Sequence, residues 1–342
     1  MHLSAPLTYI VADDIPPRTG FTNATASRTI TSDALTRDVR APLIIEVRAN
    51  EHYADRRNTP NLPLTPEEII TDALECEAAG ATIYHWHARE PDGTPSNDRE
   101  LYLQVYRGLR DAGSKLITYP TLGFFTQTSV AERLAHVVPP ADDQHLRPDV
   151  IPIDMGSVNV DLWDVDRRKF RTTETVYRNT TQHLLDMFAA IEDYGVRASL
   201  GIWDPGQVRT ARLLQETGVI AKTVLWELIF AADVMPQAAF PTLIGLQAMV
   251  EGIPESQPWL VMCVHAEVMD LAVWAITLGG HVAIGLGDTP YARLGAPRNA
   301  DLIRELLVIA TALGRPVASP AEARRILALP DVSAVETKST DT

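Results

Sequence analysis

The chain has 342 residues, 46% of them hydrophobic and 22% charged, with a formal net charge of −14. That is ample apolar material for a large core, and the negative balance argues against non-specific nucleic-acid binding and against anionic membrane surfaces. Cys76 and Cys263 are the only cysteines, so no disulfide framework is implied and a reducing cytoplasm is the simpler location.

The first stretch, MHLSAPLTYIVADDIPPRTG, has no basic leader, and Asp13-Asp14 breaks its short apolar run. It reads as neither a signal peptide nor a membrane span. Residues 1–41 are rich in Thr, Ser and Asp and lack periodicity. They are expected to form an N-terminal arm that wraps a neighbouring subunit, or else to be solvated and disordered.

From Pro42 onward, short apolar runs alternate with helical patterns. LIIEVRAN (43–50) is the first strand, and TPEEIITDALECEAAG (65–80) the first helix. Thr65 is its N-cap, with Pro66 at the first helical position and Glu68 closing a capping box; Gly80 ends it. ATIYHWHA (81–88), a helix near 98–112, KLITYP (115–120) and a helix near 128–137 follow. Then come VIPIDMG (150–156), a helix over 173–194, RASLGIW (197–203) and a helix over 205–218. KTVLWELIF (222–230), a helix near 240–252, WLVMCV (259–264), a helix near 266–279, HVAIGL (281–286) and a helix over 301–314 complete the series.

Strands alternating with helices imply parallel pairing through right-handed crossovers. Eight such units predict one (β/α)₈ TIM barrel over residues 42–330, with 331–342 as a C-terminal tail. A doubly wound open sheet is the structural alternative, but no GxGxxG opens a helix after any strand.

In such a barrel the chemistry sits at the C-terminal ends of the strands. His85 and His87 fall there, two residues apart in an extended run, so they share a face while Trp86 points the other way. A same-face pair at that rim points to a metal ion or a reacting carbonyl. Zinc suits imidazole best, with manganese, iron and nickel open on spacing alone, and at least one further ligand is needed. Glu46, Arg48 and Asn50 share one face of the first strand, which neighbours the second.

Several segments together resemble the β-keto acid cleavage enzymes, zinc-dependent TIM barrels. They are TPNLPLTPEE (59–68), EAAGATIYHWHAREPDGTPS (77–96), the GGH at 279–281, the GLGD at 285–288 and GRPVASPAEARRIL (314–326). The resemblance implies a retro-Claisen type reaction between a β-keto acid and acetyl-CoA, giving acetoacetate and a new acyl-CoA. It implies Zn²⁺ on His85 and His87, and Asp288 as the acid/base. Gly123, Asp154 and Ser157 are expected to contact substrate, with Asp154 standing where the family has an amide; Asn159 matches too and reads as structural. A cytoplasmic homotetramer acting on small molecules, with no nucleic-acid or membrane partner, completes the expectation.

The chain also departs from that family. The eighth strand of the family reads roughly His-Val-Arg-x-Gly-x-Glu-Asp, where the Glu is the third zinc ligand and the Arg an active-site cation. Here Ala283 and Gly287 replace them. Glu46 and Arg48 offer the same two chemical types on the adjacent strand, so Glu46 is the expected third ligand and Arg48 the expected substrate-pairing cation. His265 is the rival ligand and Glu227 a weaker one. The sixth and seventh strand loops, FAADVMPQ (230–237) and CVHAE (263–267), differ as well. Two other functions therefore stay open: a metal-dependent aldolase or hydrolase that does not use CoA, and a metal-free barrel that binds a small molecule.

Overall fold

The structure, a computed structural model, describes residues 41–122 and 129–330. Nearly all of the expected N-terminal arm, the tail 331–342 and Gly123 lie outside the described residues.

Eight parallel strands form a nearly closed barrel. They are β1 (Ile45–Arg48), β2 (Ile83–Trp86), β3 (Ile117–Pro120), β4 (Val150–Asp154), β5 (Arg197–Ile202), β6 (Leu225–Ala231), β7 (Trp259–Val264) and β8 (His281–Ile284). β1 is hydrogen-bonded to β8 on one side and to β2 on the other, as a closed order requires. The seam is between β3 and β4, where the Asp149 carboxylate accepts from the Thr118 amide at 2.9 Å and the Asp149 amide donates to the Thr118 carbonyl at 3.2 Å.

Strand parity divides the apolar side chains into two clusters. Ile83, Ile117, Tyr119, Leu260 and Ala283 belong to one, inside the barrel. Val47, Tyr84, Trp86, Val261 and Val282 belong to the other, between the barrel and its helices. Trp86 meets Tyr106 of helix α2 (Arg99–Asp111) edge to face, so the histidines on either side of it point inward. The first helix, α1 (Pro66–Ala79), begins with the expected capping box of Thr65 and Glu68, and Gly80 ends it at φ 110°.

Three helices are shorter than their patterns suggest: α3 is Val130–Leu134, α4 is Thr181–Tyr194 and α6 is Leu243–Val250. The difference at α4 has a local cause. Thr180 caps the helix by accepting from the His183 amide, while Val176–Tyr177 pairs antiparallel with Val158–Asn159 in a small ribbon. That ribbon brings Tyr177 over the end of β4, where its hydroxyl donates to Asp154 at 2.9 Å.

The C-terminal GRPVASP segment closes the other end of the barrel, with Val317 bridging Leu43 and Arg315 donating to carbonyls at the end of α7 (Met269–Leu278). His281 of the GGH motif is structural: its Nδ1 accepts from the Ile44 amide at 3.0 Å, and burial pushes its pKa down to about 3. No helix among the described residues is long and apolar enough to cross a membrane.

Candidate active site

The two histidines stand together at the C-terminal mouth, as their spacing predicts. Their Nε2 atoms are 3.2 Å apart. Asn50 fixes the second of them by continuing the ladder with its side chain, accepting from the His87 amide at 2.8 Å and donating to the His87 carbonyl at 3.1 Å.

The carboxylate that reaches both imidazoles is Glu51. Its oxygens lie 3.3 Å from His85 Nε2 and 2.9 Å from His87 Nε2, and the three side chains bring their ligand-type atoms within 4.8 Å of one another. Two imidazoles and one carboxylate form a donor set known from catalytic zinc sites with an open position. Burial and the neighbouring Arg48 push His85 down to about 3, which keeps it in the neutral form that binds metals. Burial works to raise Glu51, but Arg48 and the two histidines outweigh it and hold the carboxyl well below its usual range.

The geometry does not bring Glu46, the expected third ligand, to the two histidines. In register, Glu46 is level with Ile83, while Arg48 is level with His85. Glu46 therefore sits a full layer deeper, where its nearest ion-pair partner is Arg48 at 3.4 Å. Nor does His265 join the cluster; its ring lies against that of Tyr53, tilted by 40° with centroids 4.2 Å apart.

Gly287 shows why the acid arrives from the segment that follows β1. A Cβ there would lie 2.6 Å from the Glu51 amide and 2.9 Å from the Arg48 carbonyl. The chain leaving β1 occupies the space that a side chain at 287 would need, and the Gly287 amide donates to the Arg48 carbonyl at 2.9 Å. Arg89, two residues past His87 and on the same parity, pins the turn through hydrogen bonds to the carbonyls of Glu51 and His52.

Arg48 is the hub of the buried charge. Its guanidinium faces Glu227 at 2.9 Å, Glu46 at 3.4 Å, Asp288 at 3.7 Å and, in close contact, Glu51. Four carboxylates against one guanidinium leave a formal excess of three negative charges if all are ionised. Buried charge of that size is costly unless protons or a cation offset it. Burial raises the pKa of Glu46 and Glu227, and Tyr119 donates to Glu227 at 2.5 Å. Asp288 is pushed well above its ordinary range by burial, and neither of its oxygens has a hydrogen-bond partner among the described residues. A divalent cation on Glu51, His85 and His87 would offset much of the remainder.

The expected substrate contacts divide. Asp154 lines the cavity over the histidines, together with Tyr177 and Trp203. Ser157 does not; it is exposed, and its hydroxyl accepts from the Asn179 amide at 2.9 Å. Asn159 lies in the exposed ribbon.

A TIM barrel with a histidine–carboxylate cluster at its catalytic mouth defines the class. The profile of the beta-keto acid cleavage enzyme family matches residues 42–329, and the chain belongs to that family. It is 30% identical over 276 residues to a 3-keto-5-aminohexanoate cleavage enzyme of Fusobacterium nucleatum, covering 80% of this chain and 93% of that protein. A 3-oxoadipate:acetyl-CoA acetyltransferase of Cupriavidus necator is 28% identical over 297 residues, or 85% of this chain and 96% of the relative. In fold the chain is similar to ObcA in its apo structure, with a TM-score of 0.62 and 16% identity over 79% of this chain and 66% of that one.

Proposed function

We propose that this enzyme transfers the acetyl group of acetyl-CoA to the carboxymethyl unit of a β-keto acid, releasing acetoacetate, while the remaining acyl group leaves on CoA. The observation that carries the reading is the convergence of Glu51, His85 and His87 at the barrel mouth. Relatives named for β-keto acid cleavage and acetyl-CoA transfer support it.

Glu51, His85 and His87 would hold a divalent metal, zinc being the best match to the donor set. The metal would supply Lewis-acid polarisation of the keto and carboxylate oxygens. Arg48, already engaged by Glu51 and Glu227, orients the carboxylate ligand and balances its charge. Asp288 takes the proton from the α-carbon and returns it to the acetoacetate product, and burial, by raising its carboxyl above the usual range, makes its carboxylate a stronger base.

A panel of β-keto acids assayed with and without acetyl-CoA tests the reading. Acetoacetate and a new acyl-CoA should form only when both substrates are present. Cleavage that proceeds equally well without acetyl-CoA would replace this function by a CoA-independent aldolase or hydrolase, and binding without turnover by a small-molecule-binding barrel.

A further inference from the structure

The cavity has two chemically different ends. Glu51, His85 and His87 occupy one; Asp154, at the last residue of β4, stands at the other with Tyr177 and Trp203. Asp154 is the charged group of that second end among the described lining residues, and it is 8% exposed.

Its carboxylate is held in place. Trp203 Nε1 donates to Oδ1 at 2.7 Å, and the Tyr177 hydroxyl donates to Oδ2 at 2.9 Å. On β5, Gly201 leaves the room that this requires, since a Cβ there would lie 2.5 Å from Asp154 Oδ1. One donor on each oxygen leaves each with a lone pair for a further donor.

Among the described residues, the nearby cations do not answer this charge within the cavity. Arg48 is engaged by four other carboxylates. Arg133 lies behind Tyr177, with its guanidinium carbon 5.3 Å from the ring centroid, and donates to Asn179 at 2.6 Å and to the Tyr177 hydroxyl at 2.7 Å. It does not line the cavity. The tail of a bound molecule therefore meets hydrogen-bond acceptors and aromatic rings. A carboxylate tail would face like charge in a partly desolvated site, whereas a cationic nitrogen would gain both a charge-assisted contact and the rings.

We infer that the substrate is a β-keto acid whose tail carries a cationic nitrogen, received by Asp154 between Tyr177 and Trp203. The inference rests on the reading of the site as a β-keto acid cleavage centre. Its test is a matched series of 3-oxo acids of equal chain length ending in an ammonium, a methyl or a carboxylate group, each assayed with acetyl-CoA.

For the native protein, kcat/KM for the ammonium substrate should exceed the other two by at least about tenfold, the scale on which a built polar contact discriminates. Asp154→Asn should lower the ammonium-to-methyl ratio by at least about tenfold, since the amide keeps the shape and removes the charge. A native ranking led by the methyl or carboxylate substrate, or an unchanged ratio in the variant, would overturn the inference and leave the cleavage reading standing. Failure to turn over any of the three would remove that reading and the inference with it. The native ranking decides the matter even if the variant fails to fold.

Discussion

Glu51→Gln should lose most of its bound metal and its activity together, while Glu46→Gln keeps its metal. Glu51 places its two oxygens 3.3 and 2.9 Å from the Nε2 atoms of His85 and His87, whereas Glu46 lies a layer deeper beside Ile83. A neutral amide is a poor ligand for zinc, and two imidazoles alone do not complete a site. Metal content per chain, measured after equal dialysis of the two variants, gives the comparison. Metal lost from Glu46→Gln and retained by Glu51→Gln would return the ligand role to β1 proper. The same experiment on His85→Ala should show the loss seen for Glu51→Gln.

Asp288→Asn is expected to keep the metal and lower turnover by about 10²–10⁴-fold, the usual contribution of a general acid–base group. Its carboxyl is buried beside Arg48 at 3.7 Å, and neither oxygen has a hydrogen-bond partner among the described residues. The limb of the pH–rate profile that reports this group should disappear in the variant. A merely structural role would leave the shape of the profile intact and lower it uniformly. Loss of metal from Asp288→Asn would instead make the residue a ligand.

Much of this arrangement is legible in the sequence because it depends on periodicity. The alternation of strands and helices specifies the barrel, and the spacing of two between His85 and His87 places both rings on its inner face. Glu51 is not legible by the same rule. β1 ends at Arg48, the Ala49 amide still pairs with the His85 carbonyl, and the chain then turns, so strand parity no longer says where residue 51 points. Parity correctly groups Glu46, Arg48 and Asn50, yet gives no height in the barrel, and height separates a ligand from a deeper charge.

Arg89 and Asn50 carry a signal that periodicity does contain. Arg89 continues the parity of the two histidines, and Asn50 that of Arg48; each braces the turn or strand end that carries the cluster. Tyr177 has no such signal. Its segment falls within the stretch 173–194 expected to be helical, and only the ribbon with Val158–Asn159 turns it toward Asp154. Ser157 fails to reach the cavity because the chain after β4 turns outward into that same ribbon.

On the proposed reading, cleavage depends on a metal held by Glu51, His85 and His87. Its most direct test is a titration of chelator-treated protein with zinc, reading acetyl-CoA-dependent acetoacetate formation. Activity should be absent at the start and return in proportion to added zinc, levelling off near one equivalent per chain. Full activity in the metal-free protein would contradict a metal-dependent reaction.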